Sequence, residues 1–293
     1  MDVGSFGIWT FQLDLQRPPE ARALARALED QGWGALWLPE AVGRESLTNA
    51  GMLLSATERM TVATGVSNVW ARSPMVAAAA QRLLFDDSGG RFLLGLGVSH
   101  QPMVEGFMGI AYEKPLTAMG DYLDKLDNAF SVAPAPDSAP PRVLAALGPK
   151  MLALAAERSW GAHTYFVPPE HTAVAREALG SAALMVEQAV ILSTDASVAR
   201  ATARRYMSTY LALPNYTNNL RRLGWADDDL AGEGSGALVD AIVAWGDVDT
   251  VVERVRAHQA AGADHVCLQV LLPDFTAVPM AEWALLAEAL LAD

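Results

Sequence analysis

Thr61-Val-Ala-Thr-Gly-Val-Ser67 begins a stretch that continues through Pro74-Met-Val-Ala-Ala-Ala-Ala-Gln-Arg-Leu-Leu-Phe85 to Phe92-Leu-Leu-Gly-Leu-Gly97. Two short apolar runs flank a segment of helical character, the pattern of two parallel strands joined by a crossover helix. Pro74 suits the first turn of that helix, where its missing N–H costs nothing. The same rhythm extends both ways. Upstream come a strand at 4–11, a helix at 18–32, a strand at 35–39 and a helix at 47–59. Downstream, a helix at 116–130 precedes strands at 143–147, 163–167, 189–193 and 265–271. Helices at 149–159, 169–179 and 280–291 follow three of these. Eight strand-like runs, nearly all followed by a helix, predict an α/β protein. The expected architecture is a single (β/α)8 TIM barrel over residues 1–293, since an open sheet usually has fewer strands.

One connection breaks the rhythm. Between the seventh and eighth strands the chain carries a long helical insertion, about 195–247. It comprises a helix at 197–213, a polar and Gly-rich stretch at 215–236, and further helix. An excursion this long in a compact domain is usually functional or disordered. Leaving the C-terminal end of a strand, it should lie over the face where barrel active sites sit. Two readings follow: a cover for substrate, or extra surface helices that include a dimer contact.

Composition narrows the function. The net charge is −13 and hydrophobic residues make up 52% of the chain. An acidic protein without a basic face is not expected to bind nucleic acid. The single cysteine, Cys267, allows no intrachain disulfide and no Cys cluster. The opening MDVGSFGIWTFQ lacks a basic region ahead of an apolar run. No apolar stretch reaches the ~20 residues that cross a bilayer. A cytoplasmic protein with no membrane contact is expected.

Chemistry concentrates at predicted strand ends. Gly95 and Gly97 leave room for a flat ring or a neighbouring backbone. Leu147-Gly-Pro-Lys-Met151 opens a helix whose free N–H groups, with the charge of Lys150, suit an anion such as phosphate. His100 follows the strand-four glycines and is a candidate acid or base; the other reading is a solvated loop histidine. Trp9 and Tyr216 are candidate walls of a substrate pocket, and Gln269 a polar group that needs a partner there. Arg221 and Arg222 are candidates to attract an anion. His163 and His265 begin their strands and should sit at the opposite, stability-bearing face. His171 and His258 lie on helices and are expected at the surface. No pair has metal-ligand spacing, so no metal is predicted.

Together, ATGVSN (63–68), GRFLLGLGVS (90–99) and LGPKMLALAAERSWG (147–161) resemble the bacterial luciferase-like oxidoreductase superfamily. The similarity runs from strand one to strand eight and is greatest to the branch that uses the deazaflavin coenzyme F420. It implies a cis peptide at Gly65–Val66, forming a bulge behind the cofactor ring. It implies that Gly65, Val66, Ser67 and Asn68 bind the cofactor and that the ribbon Asn68–Ser73, with Arg72, flanks it. Gly97, Val98 and Ser99 would line the ring, and Leu147, Gly148, Pro149, Lys150 and Met151 would hold phosphate. Family members commonly end strand two with an acid and a histidine. Here Glu40 matches the acid as a candidate catalytic residue, but Ala41 cannot transfer a proton, which leaves His100 as the substitute. The resemblance implies a hydride-transferring oxidoreductase with F420 and a small organic substrate. The alternatives are an FMN-dependent monooxygenase of the same fold, supplied by a separate reductase, and a cofactor-binding protein without turnover. A homodimer is expected from the resemblance and from the alanine-rich residues 76–80.

Overall fold

The computed structural model describes residues 1–292. Eight parallel strands form a closed ring in chain order: β1 (Phe6–Trp9), β2 (Ala35–Leu38), β3 (Thr61–Thr64), β4 (Phe92–Gly97), β5 (Arg142–Ala145), β6 (Gly161–Thr164), β7 (Ala183–Leu192) and β8 (His265–Val270). Closure comes from β8, which pairs with β1 through Gly7 opposite Cys267 and with β7 through Cys267 opposite Glu187. The chain is a TIM barrel. Two short strands sit outside the ring, Ser67–Asn68 beside β4 and Ala244–Gly246 beside β7.

Alternation along each strand sorts side chains into two cores. Ile8, Leu36, Leu38, Val62, Leu94, Leu96, Leu144, Val186 and Leu268 point outward and pack against the helices. Trp9, Trp37, Ala63, Leu93, Val143, Met185 and Cys267 fill the lumen. There the Trp37 ring stacks on His163 at 4.5 Å between centroids. Its indole N–H donates to His265 Nε2 at 3.0 Å. Burial pushes the His163 imidazole down to about 3 and that of His265 down to about 4, so both are neutral at physiological pH.

Several boundaries differ from the sequence reading. β6 begins at Gly161 and β7 at Ala183, so His163 sits two residues into its strand and fills the lumen. The Gly161 backbone carries little apolar signal, which hid the strand start. His171 and His258 are buried, not exposed. His258 bonds Thr172 Oγ1 and Gln188 Oε1, each at 2.8 Å, and His171 Nε2 lies 2.9 Å from the carbonyl of Leu147. Their helices turn these polar groups toward the sheet, where each finds a partner. The insertion holds helices Ala196–Leu211, Pro214–Arg222, Asp227–Leu230 and Gly236–Ile242. The polar stretch read at 215–236 is thus partly helical. Its apolar seam is Tyr216 and Leu220, one turn apart and buried in a second core with Met207, Leu238 and Ile242.

Trp37→Ala should destabilise the barrel by about 3–5 kcal/mol, because it opens a large lumen cavity and removes the donor to His265. Urea denaturation measures this, and a loss under 1 kcal/mol would mean the lumen stack is not a support of the fold.

Candidate functional site

The C-terminal ends of β3 and β4 are locked together. Gly65–Val66 is a cis peptide, followed by Ser67–Asn68 pairing with Leu96–Gly97. A Cβ on Gly97 would lie 2.4 Å from Val66 Cγ2, and one on Gly95 would lie 1.9 Å from the Thr64 carbonyl oxygen. The two strand-four glycines therefore admit the neighbouring bulge rather than a ligand directly. Gly65 and Val66 themselves remain half-buried and reachable.

Glu40 holds the bulge from outside. Its carboxylate accepts the N–H of Asn68 at 2.6 Å and of Ser46 at 3.0 Å, and forms a two-pronged ion pair with Arg72. Both side chains are largely buried, 10% and 8% exposed. Arg72 also reaches Glu45 at 2.6 Å. Glu40 is thus committed to anchoring, and Arg72 neutralises carboxylates instead of facing open space. Ser67 is buried, its hydroxyl 2.7 Å from that of Ser46. At the β4 exit Ser99 adopts φ 55°, a conformation costly for a side chain other than glycine. Trp70 Nε1 donates to the Val98 carbonyl at 2.8 Å, and the Tyr112 hydroxyl donates to that of Ser99 at 3.2 Å. Trp70 lies in the ribbon expected to flank the cofactor, whereas nothing in the sequence around Tyr112 marks it, and only its hydroxyl bond to Ser99 does.

On the lumen side the bulge meets an aromatic wall. Trp9 Nε1 donates to the Gly65 carbonyl at 3.0 Å. The Trp9 ring lies 5.2 Å from Tyr165, whose hydroxyl donates to Gln269 Oε1 at 2.7 Å and lies 2.7 Å from the Tyr210 hydroxyl. Tyr216 packs edge-on against Tyr210 at 5.2 Å, and His100 lies 5.4 Å from Tyr216. The barrel rim therefore brings Trp9, Gln269, Tyr216 and His100 into one chain of contacts, with Tyr165 and Tyr210 as links the sequence reading missed. Burial lowers the His100 imidazole below its ordinary value, opposed by the Asn215 side chain, so the ring is neutral at pH 7.

The end of β5 supplies the third part. Gly148 precedes helix Pro149–Arg158 without a side-chain cap; Pro149 has no N–H, those of Met151 and Leu152 donate to the Gly148 carbonyl at 3.1 and 3.0 Å, and the N–H of Lys150 has no partner among the described residues. A Cβ on Gly148 would lie 3.4 Å from the Arg222 guanidinium, which comes from the insertion. Arg222 bonds Asn219 at 3.3 Å and has no carboxylate partner among the described residues, whereas Arg221 pairs with Asp227 at 2.7 Å. Leu147, Gly148 and Met151 are half-buried, and Pro149 and Lys150 are exposed. The result is an accessible ledge from Gly65–Val66 past Ala145 to an N-terminal helix end overlooked by an unpaired cation. Among the described residues, no group of three or more His, Cys, Asp or Glu side chains is arranged to hold a metal ion. Among the described residues, no helix is long and apolar enough to cross a membrane.

A TIM barrel hosts many unrelated activities, and the comparisons narrow the class. The profile of the luciferase-like monooxygenase family matches residues 1–265, and the chain belongs to that family. A Mycobacterium tuberculosis protein provisionally named a coenzyme F420-dependent oxidoreductase is 26% identical, over 87% of this chain and 91% of its own. Among solved structures, the coenzyme F420-dependent tetrahydromethanopterin reductase of Methanopyrus kandleri superposes with a TM-score of 0.79. It is 17% identical, with 98% of each chain covered. The FMN-bound oxygenating constituent of 3,6-diketocamphane monooxygenase from Pseudomonas putida superposes at 0.67, also 17% identical, covering 97% of this chain and 96% of that one.

Gly97→Ala should push Val66 out of its seat, since a stiff β-branched side chain has no free rotamer to yield. The expected loss is about 1–3 kcal/mol of stability, read by thermal denaturation, with disordered Ser67–Asn68 amides in hydrogen exchange. An unchanged melting temperature would show that the bulge does not depend on that glycine.

Proposed function

We propose that this chain is an oxidoreductase that moves a hydride between coenzyme F420 and a small, uncharged organic substrate. The observation that carries the reading is the ledge ending in an unpaired Arg222 above the Gly148 helix start. A phosphorylated tricyclic cofactor fits that arrangement. Its ring would lie against Gly65–Val66 with Val98 and Ser99 alongside, and its phosphate would meet the free N–H of Lys150 at the helix start, with the Lys150 ammonium and Arg222. When bound, the deazaflavin supplies the two-electron chemistry, and the protein supplies place and polarity. Trp9, Tyr165, Tyr210, Tyr216 and Gln269 would wall the substrate side and exclude water. No charged side chain stands among them, which favours a neutral substrate. His100, neutral and beside Tyr216, would accept a hydrogen bond or a proton from it. Glu40 acts here only through the bulge it anchors.

The rival reading is an FMN-dependent monooxygenase fed by a separate reductase, and the same ledge admits it. Titration of the apo protein with oxidised coenzyme F420 and with FMN, followed by fluorescence quenching, separates the two. The deazaflavin should bind, and Arg222→Glu should weaken it tenfold or more (about 1.4 kcal/mol), while Arg221→Glu, already tied to Asp227, should leave it unchanged. Binding of FMN alone would replace this reading with the rival. Equal effects of the two arginine variants would move the phosphate away from Gly148.

We also propose a homodimer closed through helix Pro74–Asp87. Met75, Val76 and Leu83 on it are 60%, 53% and 68% exposed, and with Val42 they flank a groove of about 590 Å³. Of these, Val76 and Leu83 line the groove with Leu47, Ala80 and Leu84, beside the charged Arg44 and Glu45, and exposed apolar side chains grouped on one helix mark a candidate protein contact. Sedimentation should give twice the chain mass for the wild type and a monomer for Leu83→Glu; a monomeric wild type would overturn the assembly.

A further inference from the structure

Glu187 stands on β7 between Met185 and Ala189, points into the lumen, and is 1% exposed. One oxygen accepts the N–H of Phe166 at 3.1 Å, and the other has no hydrogen-bond partner among the described residues. The groups that face the carboxyl are Tyr165, just past β6, Cys267 from β8, Tyr206 and Tyr210 from helix Ala196–Leu211, and Tyr216 from helix Pro214–Arg222. None is a cation. A buried carboxylate with neither water nor a positive partner is strongly disfavoured, so the group keeps its proton. Burial pushes its pKa up to about 8, against the single opposing bond from Phe166.

Phe166 ties this acid to the insertion. Its backbone takes a left-handed turn, φ 59°, a conformation costly for a side chain other than glycine. Its buried ring is the seat of the insertion tyrosines, with Tyr206, Tyr210 and Tyr216 at 5.9, 5.0 and 5.4 Å between centroids. Helices Ala196–Leu211 and Pro214–Arg222 thus rest on a residue whose amide Glu187 holds. Beneath the acid the lumen is filled by Met185, Cys267 and Trp37. An ionised Glu187 would need water, and with the lumen closed below, water reaches it where the tyrosines lift. The same movement carries Arg222 away from Gly148, because Tyr216 and Arg222 share one helix.

We infer that Glu187 is a proton-dependent latch on the insertion. With its proton it lets the tyrosines sit closed on Phe166; once ionised it opens that seam and, with it, the anion corner. The inference rests on the oxidoreductase reading only for what the open ledge admits, since the latch itself needs no ligand. The neighbours leave Glu187 as the group that titrates at the seam above pH 6.5. Burial raises the phenols of Tyr165, Tyr206, Tyr210 and Tyr216 and the thiol of Cys267 above their usual values. His100, packed on Tyr216, and His171, near Arg222, are lowered by burial from 6.5 and are neutral above it. The sign of the pH effect follows by linkage. The closed carboxyl titrates near 8 and the open, hydrated one at the ordinary 4.5. Opening therefore releases a proton between these values and gains about tenfold per pH unit, levelling off above about 8.

Hydrogen exchange of the apo protein, corrected for the intrinsic pH dependence of amide exchange, tests this. From pH 6.5 to 8, protection of helices Ala196–Leu211 and Pro214–Arg222 should fall about tenfold per unit and then level off. Helix Pro18–Asp30, between β1 and β2, should stay more protected than both throughout, which marks local opening instead of unfolding. Glu187→Gln, neutral at every pH, should hold the insertion at one level of protection across the range. Should that variant fail to fold, Glu187→Met, unbranched and also without charge, takes its place. No fall in the wild type, the same fall in the neutral variant, or equal protection of all three helices would overturn the latch. Failure of the wild type to bind either cofactor would sink the redox reading alone, because the exchange is measured without ligand.

Discussion

Everything at the catalytic face depends on Val66 occupying the space that a side chain at position 97 would need. That single contact lets the end of β3 fold over the end of β4, turns Gly65 and Val66 toward the open ledge, and brings the Gly65 carbonyl to the indole of Trp9. The packing is reinforced electrostatically from the far side. Glu40 accepts the Asn68 amide while paired with Arg72, so the charge that would be costly to bury alone is neutralised where it also fixes the backbone. Backbone geometry, apolar packing and a buried ion pair converge on four residues, 65–68. The rest of the barrel is arranged to present them.

The face divides by polarity. On one side a helix N-terminus and an arginine from the insertion make a positive corner in a protein of net charge −13. On the other, tyrosines, a tryptophan and a neutral acid make a surface without formal charge. Attraction of an anion in the first comes from these local groups and acts against the overall negative field. In the second, hydrogen bonds are strong because water is largely excluded. In the reading proposed above, a ligand with an anionic tail and a flat, weakly polar head would be oriented by this contrast before any specific contact is counted. The insertion contributes to both sides, Arg222 to the corner and Tyr206, Tyr210 and Tyr216 to the wall. Its residues are therefore part of the candidate site.

The alternation of apolar runs with amphipathic helices was enough to read the barrel, because each strand buries both faces and each helix buries one. The phosphate corner was half legible. The Leu147–Met151 motif names the helix start, but Arg222 is 74 residues further on, and only the fold of the insertion brings its guanidinium to Gly148. The role of Gly97 was ambiguous for a related reason: a missing Cβ announces a close approach without saying what approaches. His171 and His258 were misplaced because helical position alone does not reveal which face meets the sheet, and each is held by a partner distant in sequence, Leu147 or Gln188. Boundaries slipped at β6 and β7, where Gly161 and the residues before Ala189 lack a clean apolar alternation.

Glu187 was invisible to sequence reasoning for the deepest reason. A glutamate in Met-Val-Glu-Gln-Ala-Val looks like the polar interruption that ends a strand, and that is how the start of β7 came to be placed too late. In the barrel the same residue is tolerated because it is neutral, and it is neutral because the lumen offers hydroxyls and a single amide but no cation. Had selection wanted only a filled core, an apolar residue of similar volume would have packed there at lower cost. Keeping a carboxyl with one unpaired oxygen beneath a row of tyrosyl hydroxyls sacrifices stability as pH rises.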